Sequence, residues 1–566
     1  MHDPEGSLKA PASQAGALDR TWMLIPARGG SVGIPRKNLV SCGGKPLIQY
    51  VIEVGLALLP ADQVVVVTDD LEIADFARLI GASSILEERR SEAGETLDEK
   101  VVRNLGRMGT NGAMPHDIIL TVQPTSPLLS GDTIIECVKL LNSGFASVLT
   151  VVEDRHLRWA LSPGDGGPTA LYTERKNRQD LEPTFRETGG VIGARLNDIE
   201  SHGTRIIEPI GVVSVSAQEG IDIDTFGDLF EAEHWLSRGK VVIVADAGRE
   251  LGMGHIYRAL AIAYELARHD VCIAVRQEMP LSREALAGKP FRVFEYGDDA
   301  ELAAMVAREA PDLAIFDILD TSLEYISQMK LALPLSKILT IENEGDGAEL
   351  CDLGIYDLTP VPQRAPKVAL SGSNFAIIAP SFELFYGHAG DMQPQADLMV
   401  SFGGSDPARL TERVLGCLEE LDYQGKVTVV TGLGADRPRV SGRKIDVRYL
   451  ENVTNMALVM GEHKLAVSSM GRTVFEFASI GVPVICFAQN EKEATHVHVG
   501  PQTGSVFGGL GYALNDADLK LALSEFLENS PLHRELVASS NGFRKKRNNG
   551  FVLGEALHRL GLGHME

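Results

Sequence analysis

Short apolar runs and amphipathic stretches alternate along this chain from Trp22 onward. Runs of strand length at Met23 to Pro26, Val64 to Thr68, Ile118 to Val122 and Ser147 to Val152 are separated by helical periodicity at Leu47 to Leu58 and Thr133 to Leu141. Strands alternating with helices predict βαβ units and a mostly parallel sheet. Ser162 to Pro183 mixes Pro, Gly and charge without rhythm and predicts a loop or lid. At Lys240 the pattern restarts with a strand at Val241 to Ala245, a Gly-rich turn and a helix from His255 to Arg268. Strands at Val271 to Val275, Leu313 to Phe316 and Ile338 to Ile341 follow, and Tyr386 to Asp397 reads as a linker. A third set then runs through Leu398 to Phe402, Val427 to Val430, Leu465 to Val467 and Val484 to Phe487. Two similar α/β halves after Lys240 predict a cleft between them, the usual place for a ligand. The expected division is an extension at 1–20, one domain at 21–238, and two lobes at 240–388 and 396–566.

Length and composition agree with several domains. A chain of 566 residues exceeds the roughly 250–300 residues at which a single core stops growing. Its longest apolar runs, such as Val64 to Val67 and Val241 to Val244, fall far short of the about 20 residues a membrane span requires. Met1 to Arg20 is small, polar and loop-forming, without the apolar centre of a secretory signal, and reads as disordered. Cys42, Cys137, Cys272, Cys351, Cys417 and Cys486 are scattered singly, which predicts reduced cysteines in a cytoplasmic protein and no zinc spacing. The net charge of −24 disfavours adhesion to nucleic acid, which depends on clustered Lys and Arg. It leaves room for a local basic pocket around a small anion.

Ile25 to Asn38 reads IPARGGSVGIPRKN, a strand that runs into a Gly-rich loop with three cations. Gly29 and Gly30 allow close approach of backbone N–H groups to phosphate oxygens, and Arg28, Arg36 and Lys37 supply positive charge. Ser31 and Asn38 complete the segment. Further along stand Lys45-Pro46, then Gln123-Pro124-Thr125-Ser126-Pro127-Leu128, then Asp222-Ile223-Asp224 with Asp228 one helical turn on. In this order the motifs resemble the acylneuraminate cytidylyltransferase family across Trp22 to Arg238. The resemblance implies a Rossmann-like, GT-A-like nucleotidyltransferase domain. Arg28, Gly29, Gly30, Ser31, Lys37, Asn38, Gln123, Thr125 and Ser126 would then hold CTP, with Arg28 also acting in catalysis. Asp222 and Asp224 would hold Mg²⁺, a nonulosonic acid would be the CMP acceptor, and the domain would pair as a homodimer. Two carboxylates at i and i+2 on a strand end share a side, as ligation of one hard cation requires; the same residues also suit a helix start capped by Asp224 or Thr225. Arg89, Arg90, Thr96 and Asp98 fall where the family contacts sugar or base, and Gly189, Gly190 and Ile192 where a core strand nears the sugar pocket. Val32 stands where the family carries Lys, and Leu129 where it often carries Arg.

Asp246 to Arg258 reads DAGRELGMGHIYR directly after a strand and opens a helix. A helix N-terminus offers free N–H groups and partial positive charge to a diphosphate. Phe316-Asp317 follows at a strand end, then Phe402-Gly403-Gly404-Ser405-Asp406, then Ser468-Ser469-Met470-Gly471-Arg472-Thr473-Val474-Phe475-Glu476. This set resembles the UDP-sugar hydrolase of pseudaminic acid biosynthesis, a relative of the two-lobed GT-B-like glycosyltransferases, from Lys240 to about Leu560; Met470 replaces a second Gly. The resemblance implies that His255 deprotonates water attacking the anomeric carbon of a UDP-sugar, without a metal. Gly252, Gly254, Arg258, Asp317, Gly403, Gly404, Ser405, Ser469, Gly471, Thr473 and Glu476 would bind the UDP-sugar, Glu476 taking ribose hydroxyls. Asp246, Arg258 and Asp317 are weaker candidates for orienting His255 or touching the sugar. His496 and His498 read as near the nucleotide or simply exposed. The combined expectation is an α/β chain carrying two enzymes of nonulosonic acid biosynthesis, with a true glycosyltransferase in the C-terminal half, or an inactive N-terminal scaffold, as alternatives.

Overall fold

The computed structural model describes residues 18–566 except 19, 32, 88–94, 111, 162–166, 249–252, 319, 387–394, 404–405, 433–444, 452, 454, 546–548 and 566. The chain divides into two compact units, Met1–Ser237 and Arg238–Glu566.

The first unit is built on β1 (Thr21–Pro26), β2 (Val64–Thr68), β3 (Ser83–Leu86), β4 (Ile118–Thr121), β5 (Ser147–Asp154), β6 (Thr184–Arg195) and β7 (Ile210–Val215). They lie in the order β7-β5-β6-β4-β1-β2-β3. β1 runs parallel to β2 and β4, while β6 is inserted antiparallel between β4 and β5. Val64 to Thr68 is buried throughout, as expected of a strand covered on both faces. α1 (Leu47–Leu58) buries Leu47, Ile48, Val51 and Ile52 on one stripe, and α2 (Gly131–Asn142) starts where the Ser130 hydroxyl accepts the Thr133 N–H. Both helices contribute to one core cluster with Met23, Ile25, Val64 and Val66. Within the stretch expected to be a loop or lid, Pro168–Ala170 pairs with Trp159–Leu161, just before it, as a short antiparallel ladder. Trp159 packs edge-on against Tyr172 there, at 5.7 Å between centroids, an aromatic contact that the Pro- and Gly-rich composition conceals.

The second unit carries two parallel sheets. β8 (Lys240–Ala245), β9 (Asp270–Arg276), β10 (Arg292–Tyr296), β11 (Leu313–Asp317), β12 (Lys337–Ile341), β13 (Leu353–Tyr356) and β14 (Val368–Ser371) form the first, in the order β10-β9-β8-β11-β12-β13-β14. β15 (Ala396–Ser401), β16 (Val427–Thr431), β17 (Val447–Glu451), β18 (His463–Ser469), β19 (Val484–Phe487) and β20 (Ser505–Gly509) form the second, in the order β17-β16-β15-β18-β19-β20. In each sheet the chain starts in the interior, proceeds to one edge and returns to build the other. The strand order therefore reverses between β8 and β11, and between β15 and β18, leaving a crevice at the carboxyl ends of the strands. Among the described residues no helix is long and apolar enough to cross a membrane. All six cysteines are free and buried.

Candidate functional site

In the first unit the loop after β1 meets the segment that precedes α3 (Phe226–Leu236). The Lys37 ammonium donates to the Ile223 carbonyl at 2.7 Å and to Asp224 Oδ1 at 2.9 Å. A Cβ on Gly33 would lie 2.4 Å from the Asp224 carbonyl oxygen, so the two segments touch backbone to backbone there. Asp222 to Asp224 is not part of a strand; Ile223 is buried between a half-buried Asp222 and an exposed Asp224, and its N–H donates to the Thr125 carbonyl at 2.9 Å. Burial raises the Asp222 carboxyl above its ordinary range, aided by the neighbouring Asp224 charge and opposed by the Thr125 hydroxyl, Lys37 and Arg186. Gly189 lies against Gln123 and Asp222, and its carbonyl accepts the Gln123 N–H at 3.2 Å. The Ser126 hydroxyl is buried without a partner among the described residues. Lys37, Gln123, Thr125, Ser126, Asp222 and Asp224 are thus brought together.

Other expected ligands differ in detail. The Gly29 N–H is occupied by Asp69 Oδ1 at 2.8 Å, and Asn38 donates its side-chain amide to the Arg28 carbonyl at 2.9 Å, so both shape the loop. Arg36, in a left-handed conformation at φ 55°, pairs with Glu72 and turns its charge to the surface. Arg28 and Gly30 are exposed, a Cβ on Gly30 would meet nothing within 4 Å, and Ser31 is half-buried. The helix-start reading of the late aspartates holds for Thr225, whose hydroxyl accepts the Asp228 N–H while Asp228 Oδ2 accepts from Thr225 and Asp224. Asp98 is tied to Arg205 and Thr204, and exposed Thr96 to Glu99. Leu129 is a core residue against Gly190. Val32, Arg89 and Arg90 lie outside the described residues. Arg186, which motif reading passed over, stands on β6 close enough to act on Asp222; only the fold brings it there.

In the second unit α4 (Gly254–Glu265) follows β8 and packs Ile256, Ala259 and Ile262 against Val241 and Ile243. Among the described residues no side chain caps its start, whereas Ser130 and Thr225 cap helices elsewhere. The carboxyl end of β11 brings Asp317 under the first turn. Asp317 Oδ1 accepts from His255 Nδ1 at 2.7 Å, and Oδ2 accepts from Arg258 Nε at 2.6 Å. Asp317 is fully buried and Arg258 nearly so. Burial pushes the Asp317 carboxyl up, but Arg258 and His255 outweigh it and hold the group at about 2. The Asp317 contact fixes the His255 ring and leaves Nε2 without a partner among the described residues. That is the arrangement of an imidazole base oriented by a carboxylate.

Across the crevice α5 (Thr473–Ile480) follows β18, again without a side-chain cap among the described residues. Ser469 is buried at the end of β18, Gly471 lies 3.3 Å from its hydroxyl as a Cβ would measure it, and Thr473 opens the helix. Gly403 follows β15 at φ 82°, a conformation that favours glycine. Burial pushes the Glu476 carboxyl up to about 7 against the pull of Arg472, and Glu476 in turn acts on the Tyr257 hydroxyl on α4. Arg472 joins the two sheets: its Nη1 and Nη2 donate to Asp357 Oδ1 and Oδ2 at 2.7 and 2.5 Å, and Nη2 to the Ile377 carbonyl at 2.9 Å. His496 and His498 are not simply exposed. His496 Nδ1 lies 2.6 Å from the Met470 carbonyl and His498 Nε2 3.2 Å from that of Gly471; burial lowers both, His498 to about 3. They hold the turn that leads into α5. Gly254 is the exposed first residue of α4, whereas Gly252, Gly404 and Ser405 lie outside the described residues. Among the described residues no group of three or more His, Cys, Asp or Glu is arranged for a metal ion.

Residues 22–160 match the cytidylyltransferase family model, and residues 398–524 match that of the glycosyltransferase family 28 C-terminal domain. The chain is 30% identical to the CMP-N,N'-diacetyllegionaminic acid synthase of Legionella pneumophila over 36% of its own length and 91% of that protein. It is 25% identical to the spore coat polysaccharide biosynthesis protein SpsG of Bacillus subtilis over 52% of its length and 91% of that protein. An uncharacterised protein of Methanocaldococcus jannaschii is 24% identical over 44% of this chain, which spans little more than half, 56%, of that relative. The second unit thus pairs a Rossmann-ordered sheet with a lobe resembling family 28 glycosyltransferases. By its first unit, with Lys37, Thr125 and the late aspartates gathered beside the Gly-rich loop, the chain belongs to the cytidylyltransferase family.

Proposed function

We propose that the first unit transfers CMP from CTP to a nonulosonic acid with release of pyrophosphate, and that the second hydrolyses a UDP-2,4-diacetamido-6-deoxyhexose to UDP and the free sugar. For the first unit the supporting observation is the cluster of Lys37, Thr125, Ser126, Asp222 and Asp224, together with the similarity to a legionaminic acid activating enzyme over nearly all of that enzyme's length. Asp222 and Asp224 suit Mg²⁺, which takes one or two carboxylates and completes its shell with water and phosphate oxygens. Bound there, the ion would neutralise charge on the α-phosphate and the departing pyrophosphate. Arg28, exposed beside the loop, would steady the triphosphate, and Lys37 would hold Asp224 in place. The anomeric hydroxyl of the acid attacks the α-phosphorus, and the bond to pyrophosphate breaks.

For the second unit the carrying observation is His255, held through Nδ1 by buried Asp317 with Nε2 free. Nε2 takes a proton from water, the water oxygen bonds to the anomeric carbon, and the bond from that carbon to UDP breaks with inversion. Asp317 stabilises the imidazolium that forms. The start of α5, without a side-chain cap among the described residues, receives the diphosphate with Gly403, Ser469, Gly471 and Thr473. Glu476, one turn into α5, receives ribose hydroxyls. No metal is required for this step. The family 28 match favours a second reading, in which a sugar acceptor replaces water.

A paired assay of the purified chain tests both halves. With CTP and a panel of nonulosonic acids, pyrophosphate release is expected; its absence with every acid would make the first unit a scaffold. With UDP-diacetamido sugars alone, UDP release is expected; release only on adding an acceptor would establish the glycosyltransferase. His255→Ala should abolish UDP release and leave the CTP reaction intact, and Asp222→Asn should do the reverse.

A further inference from the structure

Where the two lobes of the second unit meet, three backbone segments are tied into a closed triangle. Asp357 and Leu358 follow β13 in the first lobe; in the second, Met470 to Arg472 lead from β18 into α5, and His496 to His498 run alongside that turn. The Val497 N–H donates to the Leu358 carbonyl at 2.8 Å, which joins one lobe to the other. His496 Nδ1 and His498 Nε2 lie 2.6 and 3.2 Å from the Met470 and Gly471 carbonyls, which joins the two segments of the second lobe. Arg472 supplies the third side. Its Nη1 and Nη2 donate to Asp357 Oδ1 and Oδ2 at 2.7 and 2.5 Å, and Nη2 also donates to the carbonyl of Ile377, a core residue of the first lobe, at 2.9 Å. The pair is largely withdrawn from water, with side chains 14% and 1% exposed. Glu342 fixes the corner in the first lobe: its Oε1 accepts the Asp357 and Leu358 N–H groups at 2.5 and 2.8 Å, and its Oε2 the Thr359 hydroxyl at 2.7 Å.

By charge and position alone, an arginine directly before a helix start that receives phosphate would be a phosphate ligand. Here three of its five N–H groups are spent on the opposite lobe. A forked pair of this kind fixes an orientation as well as a distance, because the planar guanidinium meets the carboxylate along two parallel bonds. On the Asp357 side, β13 is bonded to β12 and β12 to β11, which ends in Asp317, the partner of His255. On the other side, the next residue is Thr473, the first of α5. A continuous run of strands and one buried ion pair therefore leads from the base to the diphosphate turn. We propose that Arg472 is a positioning residue: through Asp357 it fixes the spacing of the two lobes, and so sets where the anomeric carbon of a UDP-sugar held at α5 lies relative to His255 Nε2. The inference rests on the reading of this unit as one that breaks the bond between an anomeric carbon and UDP, whether water or a sugar takes the carbon. The diphosphate is held by the second lobe alone, so losing the strut misplaces the sugar without releasing the nucleotide.

The test uses the full chain with two variants. Arg472→Lys keeps the charge and loses the fork. Arg472→Met combined with Asp357→Leu replaces the pair by apolar side chains, a change that is often neutral for stability when both partners go, and its melting temperature checks that it folds. UDP binding is measured by calorimetry, and turnover by UDP release from UDP-2,4-diacetamido-2,4,6-trideoxyhexose. The spacing of the lobes is measured between spin labels at Leu331→Cys and Leu521→Cys, exposed positions on the first and second lobes, the native cysteines being buried. In the double variant kcat is expected to fall about 10- to 100-fold, as misplacement by about 1 Å does, while KM and the Kd for UDP stay close to native; Arg472→Lys should fall less. The label distance should be single and narrow in the native chain with UDP and broader in both variants. A loss of UDP affinity that matches the loss of turnover would make Arg472 a phosphate ligand and overturn the inference, as would native kcat in the folded double variant. No UDP release by the native chain, with or without a sugar acceptor, would refute the reading of the unit; the label distance would then decide the strut by itself, an unchanged distribution in both variants overturning it.

Discussion

Asp317 is the residue on which the second unit most depends. It is fully buried and ionised, and it serves Arg258 and His255 at once. Asp317→Asn removes the counter-charge of a buried guanidinium, which costs about 3–5 kcal/mol when one partner of a buried pair is lost. The same change loosens the imidazole, and UDP release is expected to fall on the order of 10²- to 10⁴-fold. Turnover and the denaturation midpoint measured on one preparation check both effects; a variant of native stability and activity would refute the dyad. The Asp317 carboxyl sits below its ordinary value, so its contribution is present above about pH 4 and fades as pH falls towards 2. Glu476 has the opposite sign. Burial holds its carboxyl at about 7 against an ordinary 4.5, so the folded chain keeps a proton that the unfolded chain releases. Its contribution is therefore fullest below pH 4.5 and declines as pH rises through 7. Buried Glu342, also raised to about 7, by burial and by Asp357, adds to the decline. Glu476→Gln should flatten the fall in melting temperature of the second unit between about pH 5 and 8 without nucleotide; an unchanged slope would remove Glu476 from that account.

At the scale of elements, the loop after β1 and the segment before α3 work as one structure. Gly33→Ala would drive a Cβ into the Asp224 carbonyl, so it should depress cytidylyl transfer at least tenfold, whereas Gly30→Ala meets no atom and should leave the loop's shape intact. Initial rates of pyrophosphate release compare the two. This pairing was not visible in the motifs, because Lys37 and Asp224 are joined only when the sheet brings residues 187 positions apart together. Strand and helix periodicity, in contrast, was legible: the apolar stripe of Leu47 to Leu58 and the buried run of Val64 to Thr68 appear at their expected positions. Period-two alternation does not encode direction, so the antiparallel insertion of β6 was not predicted. His255 was legible from its place at a helix start, and Asp317 as one of three candidates for orienting it; only the fold, which closes 62 residues, picks Asp317 out as the residue in contact with Nδ1. His498 stands between Val497 and Val499, and of its two readings simple exposure is the one that fails, because its ring is buried 4.8 Å from Phe475. The cations of the first site were legible as residues only; Arg36 was lost to Glu72, an exposed pair that local spacing does not announce.

For the whole molecule, each unit has its own sheets and its own apolar clusters, and the chain passes from the end of α3 to the start of β8 in three residues, Ser237 to Gly239. Calorimetry is expected to resolve two transitions. CTP should raise only one and UDP only the other, each by about 2.7 kcal/mol at a hundredfold excess over Kd. A single transition moved by both ligands would show that the units melt together. The six buried cysteines make this separable by chemistry as well as by heat. Cys42 and Cys137 belong to the first unit, and Cys272, Cys351, Cys417 and Cys486 to the second. Because each thiol must be uncovered before an alkylating reagent can reach it, the molecule carries a built-in record of its own opening: two labels or four, read by mass, name the half that came apart first.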